Sequence, residues 1–172
     1  MPLTIHRDYL PGCIGRVAEL HARYYSDLVG FGVLFESKVA RELAEFCERY
    51  DAERDGLWLA LQDGKIEGSI AIDGSHADRD GAHLRWFIAS DDLRGRGVGS
   101  ALLASAMAFC RSRQYEKVYL WTFEGLAPAR HLYEKAGFRL ALQQRGRQWG
   151  KEVTEQRFEV SLGAREADRT EG

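Results

Sequence analysis

The chain has 172 residues, 45% of them apolar and 29% charged, and its formal net charge is −2. That is enough for one domain with a sizeable core, and the near-neutral balance argues against nucleic acid as a partner, since a phosphate footprint shows as a basic surplus. No apolar run approaches the ~18 residues that span a bilayer, so no membrane contact is expected.

The N-terminal segment Met1–Leu10 lacks the basic-then-apolar pattern of a secretory signal. Cys13, Cys47 and Cys110 are odd in number, far apart and without a Cys-x-x-Cys, which fits a reducing cytoplasm and thiols that fill core. The histidines, His6, His21, His76, His83 and His131, show no H-E-x-x-H or related spacing, so no metal is expected.

In chain order, Leu3 to His6 reads as a first strand, broken by Pro11 and Gly12. A helix from about Gly15 to Leu28 carries Val17, Leu20, His21, Tyr24 and Leu28 on one face. Ser37 is the expected N-cap of a second helix with Val39, Leu43, Phe46, Cys47 and Tyr50 at helical spacing. The period then changes. Leu57–Leu61 and Lys65–Ile72 flank Asp63-Gly64, a type I′ hairpin signal, and Ala82–Ala89 completes an antiparallel meander. A helix to about Arg113 follows, with a stripe of Val98, Leu102, Leu103, Ala106, Phe109 and Cys110. Val118, Leu120 and Thr122 alternate in a strand, Ala127–Lys135 forms a short helix opened by Pro128 and ended by Gly137, and Phe138–Leu142 and Val153–Leu162 close the fold. The crossover between residues 82 and 122 implies one locally parallel pair in a mixed sheet. Residues 1–162 read as one domain and 163–172 as a flexible charged tail.

Arg94-Gly95-Arg96-Gly97-Val98-Gly99 sits where a strand ends and an amphipathic helix begins. Alternate glycines allow φ > 0 and close approach to the backbone, and the free N–H groups of a helix's first turn attract an anion such as pyrophosphate. No Gly-Lys-Ser/Thr follows, so it is not a P-loop. The spacing is not Gly-x-Gly-x-x-Gly, and the next strand ends at Trp121-Thr122 rather than at an acid, which weighs against a dinucleotide fold.

Two segments together resemble the GNAT superfamily of N-acetyltransferases. Arg94, Gly97 and Gly99 match its Arg/Gln-x-x-Gly-x-Gly/Ala loop, and Ala129, Leu132, Tyr133, Gly137 and Phe138 match its Ala-x-x-Leu-Tyr-x-x-x-Gly-Phe segment. The resemblance implies an α+β fold: a mostly antiparallel sheet of six or seven strands, splayed open between the fourth and fifth and flanked by about four helices. It further implies acetyl-CoA as co-substrate, with Phe87, Ile88 and Ala89 offering main-chain bonds to its pantetheine arm. Arg94, Gly95, Arg96, Gly97, Val98, Gly99 and Ser100 would cradle the pyrophosphate, Arg130 would join them, and Tyr133 would stand near the thioester sulfur. Leu126 replaces a frequent Asn, and Asp91 a frequent proline. The stretches Leu84–Phe87 and Leu120–Phe123 and the pair Trp149-Gly150 look like a branch that also occurs fused behind winged-helix regulators, here read as free-standing. By analogy His21, Tyr24, Tyr25, Phe35 and Glu36 would line the acceptor side.

The implied reaction is acetyl transfer to a primary amine by direct attack in a ternary complex. Backbone N–H groups at the splay would stabilise the oxyanion, and a tyrosine would protonate the departing thiolate. A base must accept the amine's proton, since an alkylammonium titrates near 10. Glu124, after the fifth strand, is the first candidate. One of the pairs His83/Arg85 and Leu84/Trp86 faces the site, and Glu36, Glu155 and His21 stay open as bases. Cys110, within the core stripe, is a poor nucleophile. The amine would belong to a small molecule or a peptide, and edge strands with aromatics near the C-terminus suit a homodimer. A non-catalytic acyl-CoA-binding or sensing module is the alternative of a different class.

Overall fold

The computed structural model describes residues 3–93 and 95–163. Arg94 and the charged tail beyond residue 163 lie outside them. Among the described residues, seven strands and four α-helices follow in order: β1 (Thr4–Arg7), α1 (Cys13–Val29), α2 (Val33–Glu48), β2 (Gly56–Gln62), β3 (Lys65–Asp73), β4 (Ala82–Ala89), α3 (Val98–Ser112), β5 (Lys117–Phe123), α4 (Ala127–Lys135), β6 (Arg139–Gly146) and β7 (Val153–Ser161). None of these helices is long and apolar enough to cross a membrane.

The strands form one mixed sheet in the order β1-β2-β3-β4-β5-β7-β6. Every neighbouring pair is antiparallel except β4 and β5, the pair joined by the α3 crossover. β7 enters between β5 and β6, an inversion that linear order does not reveal. Asp63 and Gly64 have φ of 54° and 76°, as a type I′ turn requires at both central positions. α2 starts earlier than the sequence suggests. Gly32 takes the N-cap and Ser37 lies inside the helix, exposed, while Glu36 complements the dipole in the first turn. Pro128 stands in the first turn of α4, and Gly137, at φ 98°, ends it.

The sheet separates two cores. On one face Leu102, Leu103 and Ala106 of α3 pack with Trp58, Ala60, Ile70, Leu84 and Phe158. On the other, Val17 of α1 and Val39, Leu43 and Phe46 of α2 pack with Leu57, Leu59, Ala71 and Trp86. β2 is buried on both faces, so it reads as a near-continuous apolar run rather than an alternation.

A bulge in β4 shapes the site. Ser69 lies opposite Ile88 and Ala71 opposite Arg85, so Ile70 alone faces both Trp86 and Phe87. Trp86 adopts φ 48° to accommodate the extra residue. Simple alternation would keep Leu84 and Trp86 on one face; the bulge instead sends Leu84 to the α3 side and Trp86 to the α1–α2 side.

Candidate active site

β4 and β5 pair at Ala82–Val118 and His83–Tyr119 and then part. From Leu84 onward β4 keeps β3 on one side and turns its other edge into a V. Two cavities open there. One, of about 530 Å³, is lined by Phe87, Ile88 and Ala89 of β4, by the glycine corner, and by Pro128, His131 and Leu132 of α4. The other, of about 360 Å³, lies towards α2 and β5 and includes Tyr133 in its wall. Tyr25, Phe87 and Ala129 line both, so the two cavities meet there.

The larger cavity fits an anionic, elongated ligand. Gly95 and Gly97 have φ of 77° and 75°, and a Cβ on either would point into open space. Gly97 is the N-cap of α3, with no side chain capping the helix. The first bond of α3 runs from the Ala101 N–H to the Gly97 carbonyl, 3.0 Å. The N–H groups of Val98, Gly99 and Ser100 therefore begin the helix without an acceptor inside it, at its positive end. Gly99 lets α3 approach α4, since a Cβ there would stand 3.3 Å from Leu132. Tyr24, Leu93, Pro128, His131 and Leu132 also line this cavity. Leu132 belongs to the matched family segment and Pro128 to the opening of α4, whereas Tyr24, expected on the acceptor side, lines this cavity instead.

Several expected site residues stand elsewhere. Arg96 donates to Gln62 at the end of β2, 2.9 Å, and lines neither cavity. Arg130 donates to Glu134 at 2.6 Å, lies over the Phe158 ring and lines neither cavity. Glu124 is exposed in the turn after β5, its N–H bonded to the Thr154 carbonyl at 2.9 Å, and it lines neither cavity. That bond ties the turn to β7, a strand far along the chain, which strand alternation alone could not indicate. Glu36 is exposed at the start of α2. Glu155 is buried but structural: it accepts from the Gln148 N–H at 3.0 Å and from Gln144 at 3.3 Å. It thereby holds the β6–β7 loop, whose Gln148 and Trp149 close the smaller cavity.

The smaller cavity has an apolar and aromatic wall with a few polar groups. Tyr133 is 6% exposed, its ring 5.9 Å from that of Phe87. Burial pushes its phenol well above the ordinary range, and Tyr25 adds to this, so the hydroxyl keeps its proton. His21 is buried in α1 with Nδ1 2.8 Å from the Val17 carbonyl. A carbonyl only accepts, so Nδ1 carries the proton; burial lowers the imidazole to about 4 and keeps it neutral. His83 stacks on Tyr119 at 4.4 Å and is lowered to about 3, chiefly by burial and then by Arg85. His83, Arg85 and Trp86 all line this cavity. The expected choice between alternating pairs thus dissolves at the bulge. Lys38, Glu42, Trp121 and Thr122 line it too, none of them a site candidate from sequence. Cys110 is buried and its thiol pushed up to about 12, which leaves it unreactive.

The family model described as the acetyltransferase (GNAT) family matches residues 15–138. The chain belongs to the GNAT family. The N-acetylaspartate synthetase of Homo sapiens is 29% identical over 138 residues, which cover 79% of this chain and 45% of that protein. The Xenopus tropicalis protein of the same name is 30% identical over 141 residues, covering 81% and 51%. The chain thus spans about half the length of the curated relatives it matches. Among solved structures, yncA from Salmonella typhimurium, determined with its cofactor acetyl-CoA, superposes with a TM-score of 0.73 at 15% identity, covering 95% of each chain. The mixed sheet and its V are therefore those of a GNAT fold.

Proposed function

We propose that this protein transfers the acetyl group of acetyl-CoA to the primary amine of a small molecule, by direct attack with both substrates bound. The observation that carries the reading is the junction of the two cavities. An uncapped helix N-terminus opens on one, a buried protonated tyrosine on the other, and Tyr25, Phe87 and Ala129 belong to both.

In this reading the N–H groups of Val98, Gly99 and Ser100, with Gly95 and Gly97 leaving the backbone bare, hold the pyrophosphate. The β4 edge at Phe87, Ile88 and Ala89 bonds the pantetheine arm as an added strand would. Its N–H groups also stabilise the oxyanion. Tyr133 gives its proton to the departing thiolate. His21 and His83, held neutral far below 7, are poorly matched to deprotonate an ammonium. The amine is accordingly consumed from its neutral fraction, and its proton leaves through solvent in the open V. The relatives named N-acetylaspartate synthetase favour a small acceptor over a peptide. The free thiols of Cys13, Cys47 and Cys110 suit a reducing, cytoplasmic setting.

The test combines calorimetry with coenzyme A and its 3′-dephospho form, and free-thiol release from acetyl-CoA over a panel of amines. Binding together with amine-dependent thiol release is expected. A non-catalytic binding module would be stabilised by about 2.7 kcal/mol at a hundredfold ligand excess over Kd and release no thiol. Absence of affinity for either coenzyme form would overturn the assignment.

A further inference from the structure

The charge on the wall of the smaller cavity does not balance. Among the described residues lining it, the charged side chains are Lys38, Glu42 and Arg85. Glu42 stands between the two cations. Lys38 Nζ lies 3.2 Å from one carboxylate oxygen, and an Arg85 terminal nitrogen lies 3.2 Å from the other. One carboxylate thus serves two cations with both of its oxygens engaged. His21, His83 and Tyr133, all neutral, add nothing to offset the surplus.

The neighbouring cations are matched one to one. Beyond His83 and Arg85 the trough continues past Arg49 and Arg54. Arg49 forks onto Asp73 at 3.2 and 2.6 Å, and Arg54 lies 3.3 Å from both oxygens of Asp55. The unbalanced charge is therefore local to Lys38 and Arg85.

Arg85 is also held in place. Its side chain is 19% exposed, and its guanidinium lies 4.2 Å from the Trp86 ring centre. A partly desolvated cation that shares its counter-ion with another is incompletely compensated. A guanidinium has five N–H donors in a fixed fork that matches a carboxylate, more than Glu42, shared with Lys38, can accept from.

We propose that the acceptor carries a carboxylate as well as its amine, so that it is a small amino acid, and that Arg85 and Lys38 hold this carboxylate. The amine end, facing Tyr133, rests on the acetyl-transfer reading above. The anion site rests on the cavity's own charge.

The experiment pairs L-amino acids with their decarboxylated counterparts, such as L-phenylalanine with 2-phenylethylamine and L-leucine with isoamylamine. Thiol release is compared on the neutral-amine fraction of each. The acid of at least one pair is expected to exceed its amine by about tenfold or more in kcat/KM. R85Q should lower kcat/KM for that acid by about 10- to 100-fold, mainly through KM, as loss of a charged hydrogen-bonded contact does. R85K should recover part of it. Retention of coenzyme A binding by the variants shows that they fold. Amines equal to or better than their acids, or R85Q lowering both members alike, would overturn the proposal.

Calorimetry separates its failure from that of the acetyl-transfer reading. With coenzyme A present, N-acetyl-L-amino acids should bind wild type and not R85Q, whether or not any amine is turned over. If none of them binds, the carboxylate site is refuted even where amines are acetylated.

Discussion

The Ser69 hydroxyl donates to the carbonyl of Trp86 at 2.6 Å, across the point where β4 bulges. Ser69 is fully buried, and Trp86 holds a left-handed φ of 48° that a bulky residue adopts only when its surroundings impose it. The bulge increases local twist and bends the strand, and β4 leaves β5 just before it. The same displacement moves Trp86 beneath Arg85 and puts Phe87 at the junction of the two cavities.

Ser69→Ala should therefore cost about 1–3 kcal/mol, because a buried carbonyl loses its partner. Urea denaturation measures that. If the hydroxyl also holds the V open, affinity for coenzyme A falls in the same variant; stability lost with unchanged affinity would confine Ser69 to structure.

Tyr133→Phe keeps the ring that packs with Phe138 and Phe158 and removes only the hydroxyl. Thiol release should drop by about 10²–10⁴-fold, the usual weight of a general acid, with coenzyme A binding retained. Turnover within twofold of wild type would return Tyr133 to the core as a packing residue.

Gly97→Glu tests the anion cradle. A side chain at φ 75° strains the N-cap by about 1 kcal/mol, since only glycine adopts such angles freely. Its carboxylate would occupy the positive end of α3 in competition with a phosphate. Coenzyme A affinity should fall at least tenfold while thermal unfolding stays cooperative. Undiminished affinity by calorimetry would place the anion site elsewhere.

His21 links stability to pH. Its folded value of about 4 lies below the ordinary 6.5, so between these two the unfolded chain binds a proton that the folded chain does not. Stability thus rises with pH across that window, is complete above about 6.5, and is lost on acidification towards 4. The span is roughly 3 kcal/mol for a shift of this size. Replacing His21 with Asn should remove this share of the slope between pH 4 and 7 in denaturant titrations. His83 contributes in the same direction, so the difference between wild type and variant is the quantity to compare. Identical slopes would mean that His21 titrates normally.

What the sequence determined by itself was local. Period-2 and period-3.6 patterns placed the strands and helices, Asp63-Gly64 announced a hairpin, and the glycine corner with the Tyr133 segment disclosed the family, because each depends on residues close along the chain. Tertiary structure alone decided which way the site faces. Trp86 leaves its alternation because β3 supplies one residue against two, and β7 enters between β5 and β6 because pairing is a property of two segments. Arg96, Arg130 and Glu124 leave the cavity walls because long charged side chains go where partners and turns take them. Lys38 and Glu42 are an i,i+4 pair on α2, but Arg85 is far from both in sequence and meets Glu42 only because α2 lies across β4, a pairing with no periodicity to betray it.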